Sequence, residues 1–96
     1  MPRLSWKIDK MPELCRFFGI IIRMYYNDHD PPHFHAVYGD DEALIGIETL
    51  SIIRGELPRR GLAMVLEWAV LHREELRRDW ELARSGRTPV PIPPLD

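Results

Sequence analysis

The chain has one cysteine, Cys15, in 96 residues. No disulfide can close within it, and no thiolate cluster can hold zinc. A reducing compartment is therefore expected, and the cytoplasm is the natural one. Long apolar runs are missing too. The longest candidate, Leu62 to Leu71, is interrupted by Glu67 and falls short of the roughly 18 residues of a membrane helix, so no membrane role is expected. The first ten residues, MPRLSWKIDK, lack the apolar segment of a signal peptide. Nor is there an excess of positive charge. With 13 Lys and Arg against 15 Asp and Glu, the net charge of −2 argues against a chain whose main task is coating nucleic acid. A local basic patch remains compatible with it, and there is no internal repeat.

What is present suits one globular domain: hydrophobic residues make up 45% of the chain, too many for wholesale disorder. Met-Pro occurs at Met1 and again at Met11, so residues 1–10 read as an N-terminal extension ahead of a domain spanning 11–86. The alternative is a short ordered edge segment anchored by Trp6 and Ile8. LCRFFGIIIRMYY, rich in β-branched and aromatic residues, reads as strands over 14–18 and 20–26 with a tight turn at Phe18-Gly19. HFHAVY (33–38) and ALIGIE (43–48) form a hairpin across a GDDE turn, with Gly46 marking a bulge or a close backbone approach. LSIIRGE (50–56) fits a helical turn, a fifth short strand or a loop. From Pro58 the character changes. No proline interrupts Arg59 to Arg84, and Ser85-Gly86 then Pro89 supply a stop. One long helix is expected there, with His72 as the point where it could break. Residues 87–96 hold four prolines and read as an extended tail that docks loosely or not at all. The fold class is α+β: an antiparallel sheet of about four strands packed by one long C-terminal helix.

Strand alternation sorts the faces. Phe34, Ala36 and Tyr38 share one side of their strand with Ile20, Ile22, Met24 and Tyr26 as counterparts, and this apolar set should meet the helix. His33, His35 and Val37 would then point to an open face, near Arg23 and Tyr25. On the helix Leu62, Val65, Ala69, Leu76, Trp80 and Ala83 fall together, widened by Met64, Trp68, Leu71 and Leu82. So wide an apolar arc suggests a second contact, a homodimer or a small protein partner, unless the two chain ends cover it. Arg59, Arg73, Arg77 and Arg84 make a flank that is either a solvated face or a weak nucleic-acid path.

NDHDPPHFHA, residues 27–36, gathers three of the four histidines. Three readings stay open. In the first, His33 and His35, with Cα atoms about 6.7 Å apart on one strand face, share a metal ion. His29, Asp28 or Asp30 supplies a further ligand and an open position is left for water. Imidazole suits zinc, nickel, copper or iron, so the cofactor would be a divalent transition metal held by His29, His33, His35 and Asp28. In the second, His33 and His35 act as acid and base beside Tyr25, with Arg23 stabilising charge on a phosphodiester, as in RNA cleavage. In the third, the aspartates make local turns and the histidines are half-exposed strand residues or partner contacts. His72 is read as a boundary residue without a role.

RFFGIIIRMYYNDHDPPHFHAVYGDDEA, with LPRRGLAMVLEWAVLHREELRRDWELA later, resembles the bacterial uncharacterised domain family 4160 over about Met11 to Arg84. Its central motif, D-H-x-P-P-H-x-H, falls here on Asp28, His29, Pro31, Pro32, His33 and His35. Its helix pattern falls on Glu74, Glu75, Leu76 and Trp80. The resemblance implies no established activity. It implies a small bacterial cytoplasmic protein, often encoded beside uncharacterised family 2442 in pairs proposed as toxin–antitoxin-like modules. The expectation is thus a partner-binding protein with a histidine-rich surface site, one component of such a pair. The alternative is a small metal-dependent or histidine-dependent hydrolase or ribonuclease.

Overall fold

The computed structural model describes residues 11–96. The N-terminal extension, and with it the edge segment anchored on Trp6 and Ile8, lies outside the described residues. Strands β1 (Glu13–Phe17), β2 (Ile20–Arg23), β3 (His33–Tyr38), β4 (Asp41–Gly46) and β5 (Ile52–Gly55) precede helices α1 (Arg59–Leu71) and α2 (Arg73–Arg84). The strands form an antiparallel meander in the order β1-β2-β3-β4-β5. The α+β class holds. The sheet has five strands rather than four, because Ile52–Gly55 pairs along β4.

The turns follow local chemistry. Phe18 (φ 49°) and Gly19 (φ 82°) are both left-handed, as a two-residue hairpin turn with the twist of its strands requires. Between β3 and β4 the turn takes only Gly39 and Asp40, so Asp41 and Glu42 already pair with Tyr38 and Val37. That is a correction to the expected GDDE turn. β2 likewise ends at Arg23 rather than residue 26, although Met24 still gives its N–H to the Pro12 carbonyl.

One face of the sheet is a dry core. Ile20, Ile22, Phe34, Ala36, Ala43 and Ile45 are fully buried, as the alternation predicts. Trp68 of α1 packs against them, its ring 5.8 Å from those of both Phe17 and Phe34. α1 can approach closely because Gly61 faces Tyr38: a Cβ there would lie 2.6 Å from the ring.

The expected long helix is two helices. His72 leaves helical geometry (φ −122°, ψ 26°), its N–H shared between the Trp68 and Ala69 carbonyls, while its own carbonyl accepts from Leu76 and starts α2. Glu74 and Glu75 lie in the first turn of α2, where carboxylates meet the positive end of the helix dipole. Glu75 also accepts from His72 Nδ1 at 3.0 Å. α2 ends as expected at Ser85-Gly86, the N–H of Arg87 reaching Leu82 and that of Gly86 reaching Ala83.

The proline-rich tail is docked, contrary to the loose docking expected of it. Val90 N–H bonds Asp79 Oδ1, Ile92 N–H bonds the Leu14 carbonyl, and Trp68 Nε1–H bonds the Pro93 carbonyl. Ile92 is buried and Leu95 packs on the core, so the tail covers part of the wide apolar arc of the helices. Of the arginine flank, Arg59 is exposed and the other three have partners. Arg77 is bound by Glu48 and Glu74, Arg84 faces Glu81, and Arg73 donates to the Ile47 carbonyl. Among the described residues no helix is long and apolar enough to cross a membrane.

Candidate functional site

The second face of β3 is also closed. His33 and His35 are only 5% and 7% exposed, which corrects the expectation that they point to an open face. Three neighbours cover them. Trp80 of α2 places its ring 5.2 Å from that of His33. Tyr25, just past β2, stacks flat on His35 at 4.1 Å with 7° between planes. The loop between β2 and β3 folds Asp28 over both. Its end is pinned by the Asn27 N–H to the Ala83 carbonyl and by Ile47 N–H to the Pro32 carbonyl.

The hydrogen bonds set the ring orientations. His33 Nδ1 lies 2.8 Å from the Pro31 carbonyl oxygen, and its Nε2 lies 3.0 Å from Asp28 Oδ2. His35 Nδ1 lies 3.0 Å from Glu42 Oε2, and its Nε2 lies 3.3 Å from the same Asp28 Oδ2. A carbonyl and an ionised carboxylate only accept. Each imidazole therefore stands between two acceptors, and a neutral ring carries one N–H. With Nδ1–H donated to Pro31 and to Glu42, both Nε2 lone pairs point at one carboxylate oxygen. A cation at the shared point satisfies all three atoms at once.

The spacing fits that ion. Metal–nitrogen and metal–oxygen bonds of about 2.0–2.2 Å at tetrahedral angles put ligand atoms roughly 3.3 Å apart. The two Nε2 to Oδ2 distances are 3.0 and 3.3 Å. The three ligand atoms of Asp28, His33 and His35 all lie within 4.8 Å of one another, so the rings need close by at most roughly 1.5 Å. The outer bonds from Nδ1 to a carbonyl and a carboxylate are those that orient metal-binding histidines.

Without an ion, the imidazoles act on the Asp28 carboxylate as donors. Burial works to raise the Asp28 carboxyl, but the His29 N–H and the His35 and His33 rings outweigh it, and it lies below its usual range. The Tyr25 hydroxyl is held above its usual range by burial and by the Glu42 and Asp28 carboxylates, against the opposing charge of Arg23. Burial pushes the Cys15 thiol up to about 12, so it stays protonated and away from this chemistry.

Of the residues expected at the site, Asp28, His33, His35 and Tyr25 come together. His29 does not join them as a ligand. It is exposed and gives its backbone N–H to Asp28, while its ring is not among the converging atoms. Arg23 opposes His35 in the ladder, yet its guanidinium turns toward the Met11 carbonyl at 3.5 Å. Two participants escaped sequence reasoning. Glu42 was assigned to a turn, and Trp80 only to the apolar arc. The signal for Glu42 lies in the hairpin register: a two-residue turn pairs it with Val37, on the histidine side of β3. A cavity of about 170 Å³ opens beside the group, lined by Asp28, His29, Asp30, Pro31, His33, Leu44, Ile53 and Arg54.

The family described as Domain of unknown function (DUF4160) matches residues 19–81, from the β1–β2 turn into α2, and so includes Asp28, His33, His35 and Glu42. No curated protein and no solved structure matches the chain.

Proposed function

The chain belongs to this family of unknown function, and from that premise we propose that it is a metal-binding protein whose Asp28–His33–His35 centre holds one divalent transition ion. A single observation carries the reading: one carboxylate oxygen and two imidazole nitrogens converge, while each outer imidazole nitrogen lies within hydrogen-bond reach of an acceptor that can hold it as the donor. Two imidazoles and one carboxylate suit zinc or iron(II), and three protein ligands leave coordination positions open. The cavity beside Asp28 and His33 gives a small ligand a route to them. Such an ion supplies a polarised, acidified water at neutral pH, so metal-assisted hydrolysis is the activity this centre suits best. Tyr25, Trp80 and Glu42 orient the ligand rings and shield them from solvent.

Isothermal titration of chelator-treated protein with Zn²⁺ and Co²⁺ tests the reading. One ion per chain is expected to bind, with affinity falling at least about 100-fold in His33→Ala and Asp28→Asn. Binding confined to millimolar ion, or unchanged by these substitutions, would sink it.

A second reading, binding of a protein partner or a second copy, keeps one observation of its own. Val70 and Leu71, at the end of α1, are 62% and 66% exposed. A toxin–antitoxin-like role would require such a contact. Light scattering over a hundred-fold range of concentration should then reveal association that Leu71→Asp abolishes.

A further inference from the structure

We infer that the cavity beside the metal centre takes a phosphate ester, with Arg54 gripping the phosphate from the side opposite the ion; this rests on the metal reading above. The ladder places the two together. Arg23 opposes His35, His35 opposes Leu44, and Leu44 opposes Arg54, and directly opposed residues share a sheet face. Arg54 therefore stands on the histidine side, two strands from His35, across about 10 Å of sheet. An extended guanidinium and a tetrahedral oxyanion on the ion together span that gap. Arg54, Asp28 and His33 line one cavity.

Arg54 is available for the task. Arg16, Arg77, Arg78 and Arg84 each face a carboxylate, whereas among the described residues Arg54 faces none. The charge balance also sets an order of binding. Asp28 and Asp30 against Arg54 leave the metal-free cavity with an excess of negative charge, hostile to an anion. A divalent ion reverses the sign, so the anion follows the metal. By linkage it must also tighten the metal by the same factor.

Size and lining narrow the ligand. A volume of about 170 Å³ admits a phosphate with a small organic substituent, while a folded nucleic acid cannot enter. The aliphatic walls, Leu44 and Ile53, suit the substituent rather than a second charge. Guanidinium matches the paired oxygens of phosphate with two parallel hydrogen bonds, which a lysine would not provide.

The test uses the full chain loaded with Co²⁺, whose visible absorption reports its ligands, titrated with methyl phosphate at constant ionic strength and pH 7. A saturable band shift is expected, absent with metal-free protein. Arg54→Gln should weaken methyl phosphate about tenfold while leaving Co²⁺ affinity unchanged. Asp30→Asn should tighten it. Acetate should bind more weakly than methyl phosphate. Equal methyl phosphate affinity in Arg54→Gln, or acetate binding as tightly, would overturn the phosphate inference. So would Co²⁺ binding with no response to methyl phosphate, and in that case the metal reading would stand. If Co²⁺ fails to bind at all, the metal reading falls first and this one with it.

Discussion

β3 separates two regions that are equally closed and chemically opposite. Phe34 and Ala36 face a layer of aliphatic and aromatic side chains under Trp68, where the contacts are apolar packing. His33 and His35, one residue away in each direction, are buried against half-buried Asp28 and Tyr25 and exposed Glu42, and their ring nitrogens meet acceptors. The first region needs only density. The second gathers two imidazoles and a carboxylate, the atoms that the proposed ion would use. Burial alone therefore does not mark a core. What distinguishes the two sides of β3 is whether the buried atoms offer packing or polar groups.

The largest expected effect tests the packed side. Phe34→Ala should cost about 3–5 kcal/mol in the urea unfolding of metal-free protein. Metal affinity, measured under conditions where the variant remains folded, should change by less than about threefold. A joint loss of stability and metal binding would show that the two regions are one unit.

The polar side should answer in the opposite way. His35→Phe keeps a ring for Tyr25 to stack on and removes the two nitrogens that meet Glu42 and Asp28. Metal-free stability should stay within about 1 kcal/mol of the parent, because a buried polar group is exchanged for an apolar ring of similar size. Metal affinity should fall at least about 100-fold, near 2.7 kcal/mol. A variant that loses several kcal/mol of stability without metal would mean that His35 serves the fold rather than an ion.

This contrast was half legible in the sequence. Period-two alternation placed Phe34 and Ala36 on the core face and kept His33 with His35, because that is a property of any strand. It could not show that the second face is closed. Closure comes from Trp80, Tyr25 and the Asp28 loop, which lie far from β3 in sequence or outside any strand. Glu42 and Arg54 needed the register, which depends on a turn of two residues rather than four. The break at His72 had a readable sign, acidic residues at Glu74 and Glu75 inside an apparently continuous helix. The docking of the tail was missed, because a run of prolines shows neither which N–H groups find partners nor where. Between Pro89 and Pro94 only Val90 and Ile92 retain an N–H, and both are used. Gly61 lies within α1, and the ring of Tyr38 that requires it belongs to β3.

A smaller effect sharpens how the polar side is built. Glu42→Gln preserves the size of the side chain and an acceptor for His35 Nδ1–H, but removes the charge that makes the ring a stronger ligand. Metal affinity should drop about tenfold, with no change in the thermal midpoint of the metal-free protein. Unchanged affinity would assign Glu42 to the solvent.

The smallest effect compares two carboxylates whose surroundings have opposite completeness. Asp28 receives the His29 N–H and faces two imidazoles, and although burial resists it, its carboxyl sits below the ordinary value of 3.8. Asp79 is wholly buried between α2 and the tail. One of its oxygens accepts from Val90 N–H and Arg78, the other has no partner, and burial raises its carboxyl above 3.8 in spite of those bonds. The two carboxyls make stability depend on pH with opposite signs. The contribution of Asp28 is present above the ordinary value and is lost as pH falls through its depressed folded value. That of Asp79 is full below the ordinary value and is lost as pH rises through its raised folded value, since the folded chain then holds a proton that the unfolded chain has released. Asp79→Asn keeps an oxygen for Val90 and has no charge to bury. Urea midpoints of metal-free protein between about pH 3 and 7 should therefore show the variant gaining on the parent as pH rises, while Asp28→Asn loses ground over the same range. A constant offset between parent and Asp79→Asn across that range would mean that the buried carboxyl titrates alike in the folded and unfolded chain.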